Sequence, residues 1–493
     1  MIIWGVNAMN HDASITSVDS STMEILFAGH AERYSRKKND SDLNLDLIDD
    51  ARSYGEPELV VWFENPWGRK MRYLKSGQWR RLFNKSPKAY LKGYGIDVPI
   101  EYSSHHLSHA AGGFYTSPFN DAAVLVIDAI GETTTSSIWK ARGTKLKLEW
   151  EMQYPHSIGL FYSAITALVG LKPDEEEYIL MGMAAYGDAE EAGHLKRYLK
   201  RSYFAEDMQF QKVNFHKGIT WDTYLELVAE TPQGQYNLAR AAQEIVTELI
   251  TELMKKARFL TGSDNLVYSG GVALNCVANS TTAGIFKEMW IMPNPGDAGN
   301  SLGAVANYLR SAMKWPGPFL GHDIKRDANV DCIINELLTT GICGVAHGRA
   351  EFGPRALGNR SLLADPRRQD MKDRVNQIKR RQMFRPFAPA VLVEEAHKHF
   401  HFPLRVMDAP YMQYVVAVDK PETLPAVSHF DNTARVQTVG NESPFLREIL
   451  EAWYERTGCP ILLNTSLNIK GEPLVNTWED AKRWEEKYDV KVF

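Results

Sequence analysis

Three short apolar runs, each delivering the chain into a loop rich in Asp, Asn or Gly, constrain this fold more than any other feature of the sequence. Ile2 to Asn7 runs into Asn10-His11-Asp12-Ala13-Ser14, and Ile15 to Val18 reads as the returning strand. Ala122 to Ile127 runs into Asp128-Ala129-Ile130-Gly131-Glu132-Thr133-Thr134. Leu266 to Ser269 runs into Gly270-Gly271 and then Val272 to Asn279, which reads as a helix. A strand followed by such a loop, met three times, predicts one repeated α/β architecture rather than unrelated pieces. The first of these loops, a tight hairpin, can also turn its N–H groups toward an anion.

Helical spacing marks Tyr236 to Lys256 (Leu238, Ala242, Ile245, Val246, Leu249) and Leu302 to Leu309. Trp315 to Asn329 opens with Trp-Pro-Gly-Pro and turns polar, which reads as a linker. At 493 residues the chain exceeds one ordinary core. A domain over 1–320 and a second α/β domain over 330–493 are therefore expected. Helices at Val330 to Leu338, Ser443 to Thr457 and Thr477 to Lys487 fit the second. So do strands ending or lying at Gly344 to His347, Pro389 to Val393, Met412 to Val418 and Ile461 to Leu463.

A formal charge of -5 gives no bulk case for nucleic-acid binding. The four cysteines are scattered and read as buried thiols of a reducing compartment. No basic segment precedes an apolar stretch at the start, and no apolar run reaches the roughly 18 residues of a membrane span. The cytoplasm is the expected location, with no membrane and no obligate protein partner.

Ser104-His105-His106-Leu107-Ser108-His109 is the sharpest local motif. On a helix, His105 and His109 share a face and can chelate one ion. Asp128, at the end of a strand, and Asp297, in a Gly/Pro loop, are the carboxylates placed to close such a site. Two His and two Asp suit iron(II), manganese or zinc better than calcium, which prefers oxygen throughout. His106 points elsewhere on that helix and is free to act as a base or substrate ligand. The plainer reading is a pair of histidines capping a helix start.

The second half is rich in arginine beside glycine and proline. Arg349, Arg355 and Arg360 lie in RAEFGPRALGNRS, and Arg380, Arg381 and Arg385 precede Pro386-Phe387-Ala388-Pro389. A planar guanidinium binds phosphate oxygens in pairs, and glycine lets the backbone approach an anion. Arg435, in Asp431-Asn432-Thr433-Ala434-Arg435, and the turn Asn464-Thr465-Ser466-Leu467-Asn468 extend this set. No Walker loop is present. From Arg69 to Lys92 there are nine Lys/Arg and no Asp or Glu, interleaved with Tyr73, Trp79, Phe83 and Tyr90. Such a run can be a solvated helical insertion. It can also steer a phosphorylated acceptor such as a nucleotide or nucleic acid, with Arg80, Arg81 and Lys85 as the steering residues.

Long motifs in one order run the length of the chain: NHDAS (10–14), AERYSRKK (31–38), HHLSHAAGGFYTSPF (105–119), IDAIGETTT (127–135), YPHSIGLFY (154–162), EYILMGMAAYG (177–187), YSGGVALNCVANS (268–280), PGDAGNSLGA (295–304), EFGPRALGNRS (351–361), FRPFAP (384–389), DNTARVQTV (431–439) and TGCPILLNTSLNIKGEP (457–473). On these the chain resembles the NodU/CmcH family of O-carbamoyltransferases. The resemblance implies an N-terminal actin-like ATPase domain, a duplicated RNase H-like fold similar to tRNA threonylcarbamoyl-transfer proteins. It implies a C-terminal α/β domain similar to threonylcarbamoyl-adenylate synthase.

The implied chemistry has two steps. The second domain activates carbamoyl phosphate with ATP, with magnesium, to carbamoyl adenylate and pyrophosphate. The first passes the carbamoyl group to an alcohol, usually with iron, the acceptor being a hydroxyl-bearing small molecule or nucleotide. Carried over by position, the metal ligands fall on His105, His109, Asp128 and Asp297. The carbamoyl-phosphate and ATP contacts fall on Arg355, Arg385, Arg435, Asn464 and Ser466. Nucleotide contacts in the first domain fall on Gly270, Gly271 and Asn275. His11 matches a family histidine near the acceptor, with His106 its rival as catalytic base. The reactive adenylate implies a shielded route between the two sites. The family pattern Asp-Gly-x-Gly-Glu has Ala129 here in place of the first glycine, and Leu467 replaces a typical Phe. Threonylcarbamoyl transfer to tRNA and an actin-like small-molecule kinase are the competing readings.

Overall fold

The computed structural model describes residues 1–75, 77–79, 84–205, 209–211, 215–219 and 221–493. The expected repeat is explicit in its sheets. β1 (Ile2–Asn7), β2 (Ser14–Asp19), β3 (Glu24–His30), β4 (Leu59–Trp62) and β5 (Ile100–Tyr102) form a sheet ordered β3-β2-β1-β4-β5. β6 (Asp121–Gly131), β7 (Thr134–Arg142), β8 (Lys145–Gln153), β9 (Asn265–Ser269) and β10 (Glu288–Trp290) form a second, ordered β10-β9-β6-β7-β8. In each, the first three strands run antiparallel and the last two lie parallel to the first. Counted from its own first strand, the second sheet repeats the order of the first. This is the duplicated arrangement of the actin-like ATPase fold. The central strands are apolar because both faces are covered: Ile3, Trp4 and Val6 on β1 and Val124 to Ile127 on β6 are fully buried.

Helices His105–Tyr115 and Asn300–Leu309 pack against each other beside β1 and β6, and small residues let them approach closely. A Cβ on Gly303 would lie 2.0 Å from the Ser108 carbonyl oxygen, and one on Gly5 would lie 1.7 Å from that of Ser301. This backbone contact brings the histidine helix beside the loop that precedes Asn300. The helix Pro232–Thr261 is capped by the Thr231 side chain and ended by Gly262 at φ 68°. Its apolar face covers the second sheet. The segment after Gly270 is not one helix. It makes a 3-10 turn over Gly271–Leu274, and then Asn275 caps the helix Cys276–Thr282 through the Ala278 N–H at 3.1 Å.

A third sheet is built from Ile342–Ala346, Arg360–Ala364, Ile461–Ser466, Ala388–Leu392 and Gln437–Val439, in that spatial order. All its pairs are antiparallel except the last. Helices Val330–Thr340 and Pro444–Thr457 cover one face, and Trp484 packs into the other. The segment read as a linker contains a strand. Phe319–Ile324 pairs antiparallel with Gly348–Glu351, and Leu320 and Ile324 are buried. The strand Phe-Leu-Gly-His-Asp-Ile lacks the alternation that would mark it, and it follows a Trp-Pro-Gly-Pro opening. Among the described residues, no helix is long and apolar enough to cross a membrane.

Candidate active site

Three separate elements bring His105, His109, Asp128 and Asp297 together. The first two are four residues apart on one helix face, Asp128 lies near the end of β6, and Asp297 opens the turn before Asn300. All four are buried, and one ligand atom from each lies within 4.8 Å of the others. His109 Nε2 is 3.1 Å from His105 Nε2 and 3.1 Å from Asp297 Oδ1. His105 Nε2 is 3.3 Å from Asp128 Oδ2 and from Asp297 Oδ1. Donors about 2.1 Å from one ion sit about 3.0–3.4 Å apart in neighbouring positions, so these spacings fit a bound cation.

The charges fit too. Burial pushes both carboxylates up, but the adjacent imidazoles outweigh it and hold Asp128 at about 2 and Asp297 well below the carboxylate range. Two facing Nε2 atoms beside two ionised carboxylates form a donor set that a divalent transition ion satisfies at once. Gly131 makes room for it, since a Cβ there would lie 2.1 Å from His105 Cδ2. Ala129, in place of the family's glycine, stands outside the positive-φ residues and costs nothing in strain. Leu467 is fully buried and acts in packing.

His11 joins this cluster through the β1–β2 loop. Buried Asn7 donates from Nδ2 to the Asp12 and Asp297 carbonyls at 2.7 and 3.0 Å, and Ser14 Oγ donates to the Ala298 carbonyl. The loop is thereby tied to the Asp297 turn. His11 Nε2 lies 3.4 Å from Asp297 Oδ2, and its Nδ1 lies 2.9 Å from Asp12 Oδ2. Desolvation inside the cavity disfavours its charged form, although 54% of the side chain stays accessible, and the carboxylates of Asp297 and Asp12 prevail and raise its pKa to about 10. A cation on the cluster would counter Asp297 and bring His11 down again. His106 is not brought to the same place. Its Nδ1 meets Ser137 Oγ at 2.8 Å, burial and then the neighbouring histidines lower it to about 3, and it does not face the cavity.

That cavity, of about 1750 Å³, is continuous. His11, Asp128, Asp297, Gly271 and Asn275 line it, and so do Arg355, Arg385, Arg435, Asn464 and Ser466. Gly271 N–H donates to Asp128 Oδ1 at 3.1 Å. Gly270 is not part of the lining. It holds φ 90°, and a Cβ would meet the Ile127 carbonyl oxygen at 2.1 Å, so it serves the turn.

Lys379 and Arg381 complete the cationic end, and sequence reasoning passed over Lys379 entirely. Buried Lys379 donates to the Ser466 carbonyl at 2.5 Å, to Ser466 Oγ at 3.1 Å and to Asn468 Oδ1. Arg381 lies over the Phe387 ring at 4.0 Å, and Arg385 over Tyr178 at 4.9 Å. Burial and the other cations depress these groups together: Lys379 well below its ordinary value, Arg381 to about 8, Arg355 to about 9. Cations gathered this closely and lowered by burial are a charge pattern that a polyphosphate would complement.

Two other arginines of that region do different work. Arg360 is fully buried and donates to the carbonyls of Asn476, His347, Asn359, His322 and Gly348. Arg349 donates to the Leu26, Leu320 and Gly321 carbonyls. Neither faces the cavity. The basic run is also not one surface. Arg69 and Arg72 are buried and lie 3.5 and 3.7 Å from the Glu64 carboxylate. Lys85 is exposed, while Arg80 and Arg81 lie outside the described residues.

Comparison with known proteins bears on this geometry directly. The family model for the carbamoyltransferase N-terminus matches residues 80–306, and that for the carbamoyltransferase C-terminus matches 334–493. An uncharacterized protein of Synechocystis is 32% identical over 98% of this chain and 93% of its own length. Nodulation protein NolO of Bradyrhizobium diazoefficiens is 32% identical over 77% of this chain and 75% of its own. The chain belongs to the NodU/CmcH family of carbamoyltransferases. A further relative of this carbamoyltransferase, the 3'-hydroxymethylcephem-O-carbamoyltransferase of Amycolatopsis lactamdurans, is 28% identical over 95% of this chain and 94% of its own. Among solved structures, component A of the (R)-2-hydroxyglutaryl-CoA dehydratase of Acidaminococcus fermentans overlaps at a TM-score of 0.33 and 11% identity, over 63% of this chain and 98% of that one. That overlap is too slight to add to the repeated sheet order.

Proposed function

We propose that this carbamoyltransferase makes carbamoyl adenylate from carbamoyl phosphate and ATP at the cationic end of its cavity and transfers the carbamoyl group to an acceptor hydroxyl at the His/Asp end. The continuity of the cavity carries this reading. A mixed anhydride formed at one end can pass to the other without leaving the protein, which shortens its exposure to hydrolysis. In the first step water cleaves carbamoyl phosphate to carbamate and inorganic phosphate, a carbamate oxygen bonds to the α-phosphorus of ATP, and the bond from that phosphorus to the bridging oxygen breaks as pyrophosphate leaves. Arg355, Arg381, Arg385, Arg435 and Lys379 stabilise the charge that gathers on the departing phosphates. Asn464 and Ser466 orient the carbamoyl group through its carbonyl and amide.

In the second step the acceptor oxygen bonds to the carbamoyl carbon, the carbon–oxygen bond to the phosphate breaks, and AMP leaves with the electron pair. His11 Nε2 takes the hydroxyl proton, with Asp12 at Nδ1 fixing the ring. His105, His109, Asp128 and Asp297 hold iron(II) or another divalent transition ion, which supplies Lewis-acid polarisation and charge neutralisation there. Gly271 and Asn275 meet the adenylate's nucleotide. The test is product analysis with ATP and carbamoyl phosphate. AMP and pyrophosphate, formed only when carbamoyl phosphate is present, are expected. ADP would instead indicate a kinase, and turnover with threonine and bicarbonate in place of carbamoyl phosphate would indicate threonylcarbamoyl chemistry.

A further inference from the structure

The helix Pro66–Lys75 is amphipathic in the inverse sense. Its buried face carries Arg69 and Arg72 against Glu64, and its exposed face carries Trp67, Met71 and Leu74 at 76, 49 and 37% exposure. Trp79 follows at 62%. An apolar stripe left in water while charges are buried marks a surface with a partner. The buried face leads straight to the acceptor end of the cavity. Asn10, the neighbour of His11, donates to Glu64 Oε2 at 2.9 Å and accepts from Arg72 at 3.3 Å. Arg72 and Gln78 line the cavity with His11, and Gln78 Nε2 lies 3.4 Å from His216 Nε2, also in the lining.

Charge says what the partner is. Setting aside the two buried arginines, seven Lys/Arg remain between residues 69 and 92 with no Asp or Glu among them. In sequence they alternate with the rings. Lys70 lies 5.2 Å from the Trp67 ring, and Arg80 and Arg81 follow Trp79 directly in sequence. Lys70, Lys85 and Lys88 are exposed. Flat faces alternating with cations match bases alternating with phosphates, whereas a lipid bilayer calls for an apolar face with charge at its edges.

We infer that this segment docks a single-stranded polynucleotide and that the acceptor hydroxyl is carried by a nucleotide of that strand, delivered past Arg72 to His11. The inference rests on the proposed carbamoyl transfer and names its acceptor class. The bond changes are those of the second step above, with the nucleotide hydroxyl as the attacking oxygen.

The experiment is fluorescence anisotropy of labelled mixed-sequence single-stranded DNA and RNA with the full-length chain, at low and moderate salt. Binding that weakens steeply with salt is expected. Trp67→Ala with Trp79→Ala should lower affinity about tenfold or more, and Lys70→Gln with Lys85→Gln should flatten the salt dependence. Each variant should release pyrophosphate from ATP and carbamoyl phosphate at the parent rate, which also reports that it is folded. No binding to either strand, or binding the variants leave unchanged, overturns the inference. So does loss in the variants of binding to phosphatidylglycerol vesicles, or of self-association, without loss of oligonucleotide binding. If pyrophosphate release is absent in the parent chain, it is the carbamoyl-transfer reading that fails, independently of anisotropy.

Discussion

The two ends of the cavity are charged in opposite senses and are built differently. At one end, the carboxylates of Asp128 and Asp297 line the cavity and the imidazoles of His105 and His109 crowd behind them, one ligand atom from each within 4.8 Å of the others, held by a helix, a strand end and a short turn whose backbones touch. At the other, Lys379, Arg355, Arg381, Arg385 and Arg435 gather, and burial followed by the neighbouring cations lowers the pKa values of Lys379, Arg355, Arg381 and Arg435. The first is a site waiting for a cation and the second for an anion. In the proposed reading, one chain keeps a metal-assisted transfer apart from a phosphate-handling activation, with both ends in one cavity.

The comparison breaks if either end can be damaged only together with the other. The largest expected effect is on transfer. Replacing His105 and His109 by Ala should abolish transition-metal binding and lower acceptor carbamoylation by about 10³-fold or more, read by metal analysis and by product mass. A chelator should do the same to the parent enzyme, reversibly. Next comes Arg385→Met, which should cut carbamoyl-phosphate-dependent pyrophosphate release by about 10²–10³-fold while metal content stays at the parent level. Gly131→Ala sharpens the metal end without touching a ligand. The added Cβ would strike the His105 ring, so metal affinity should fall about 10–100-fold in a titration, with pyrophosphate release unaltered. The smallest effect on chemistry is expected of Arg360→Met. Losing a buried guanidinium that serves five carbonyls should cost about 3–5 kcal/mol of stability, seen in denaturant unfolding, while the folded fraction keeps its rate.

These outcomes also mark what was legible in the sequence. The strands β1, β6 and β9 were readable because covered parallel strands are apolar without interruption. The histidine pair was readable because four-residue spacing becomes a shared helix face. The arginines were harder, because composition does not tell which way a guanidinium points. Arg355 faces the cavity, while Arg360, five residues on in the same motif, is spent on backbone carbonyls. Lys379 ends the helix Met371–Lys379 and carries no motif, so only the approach of Ser466 and Asn468 reveals it. The basic run was legible only in part, for the same reason. Counting charges gave one patch, but Glu64, buried after β4, draws Arg69 and Arg72 inward. The strand Phe319–Ile324 was lost behind a Pro-Gly-Pro that looked like a linker.

The most direct test of two separable ends in one cavity is the carbamoyl-phosphate-dependent exchange of labelled pyrophosphate into ATP, compared between the parent chain and its His105→Ala, His109→Ala form. Reversible adenylate formation at an intact cationic end predicts equal exchange rates in both, although only the parent carbamoylates an acceptor. Loss of exchange in a folded double variant would contradict the account.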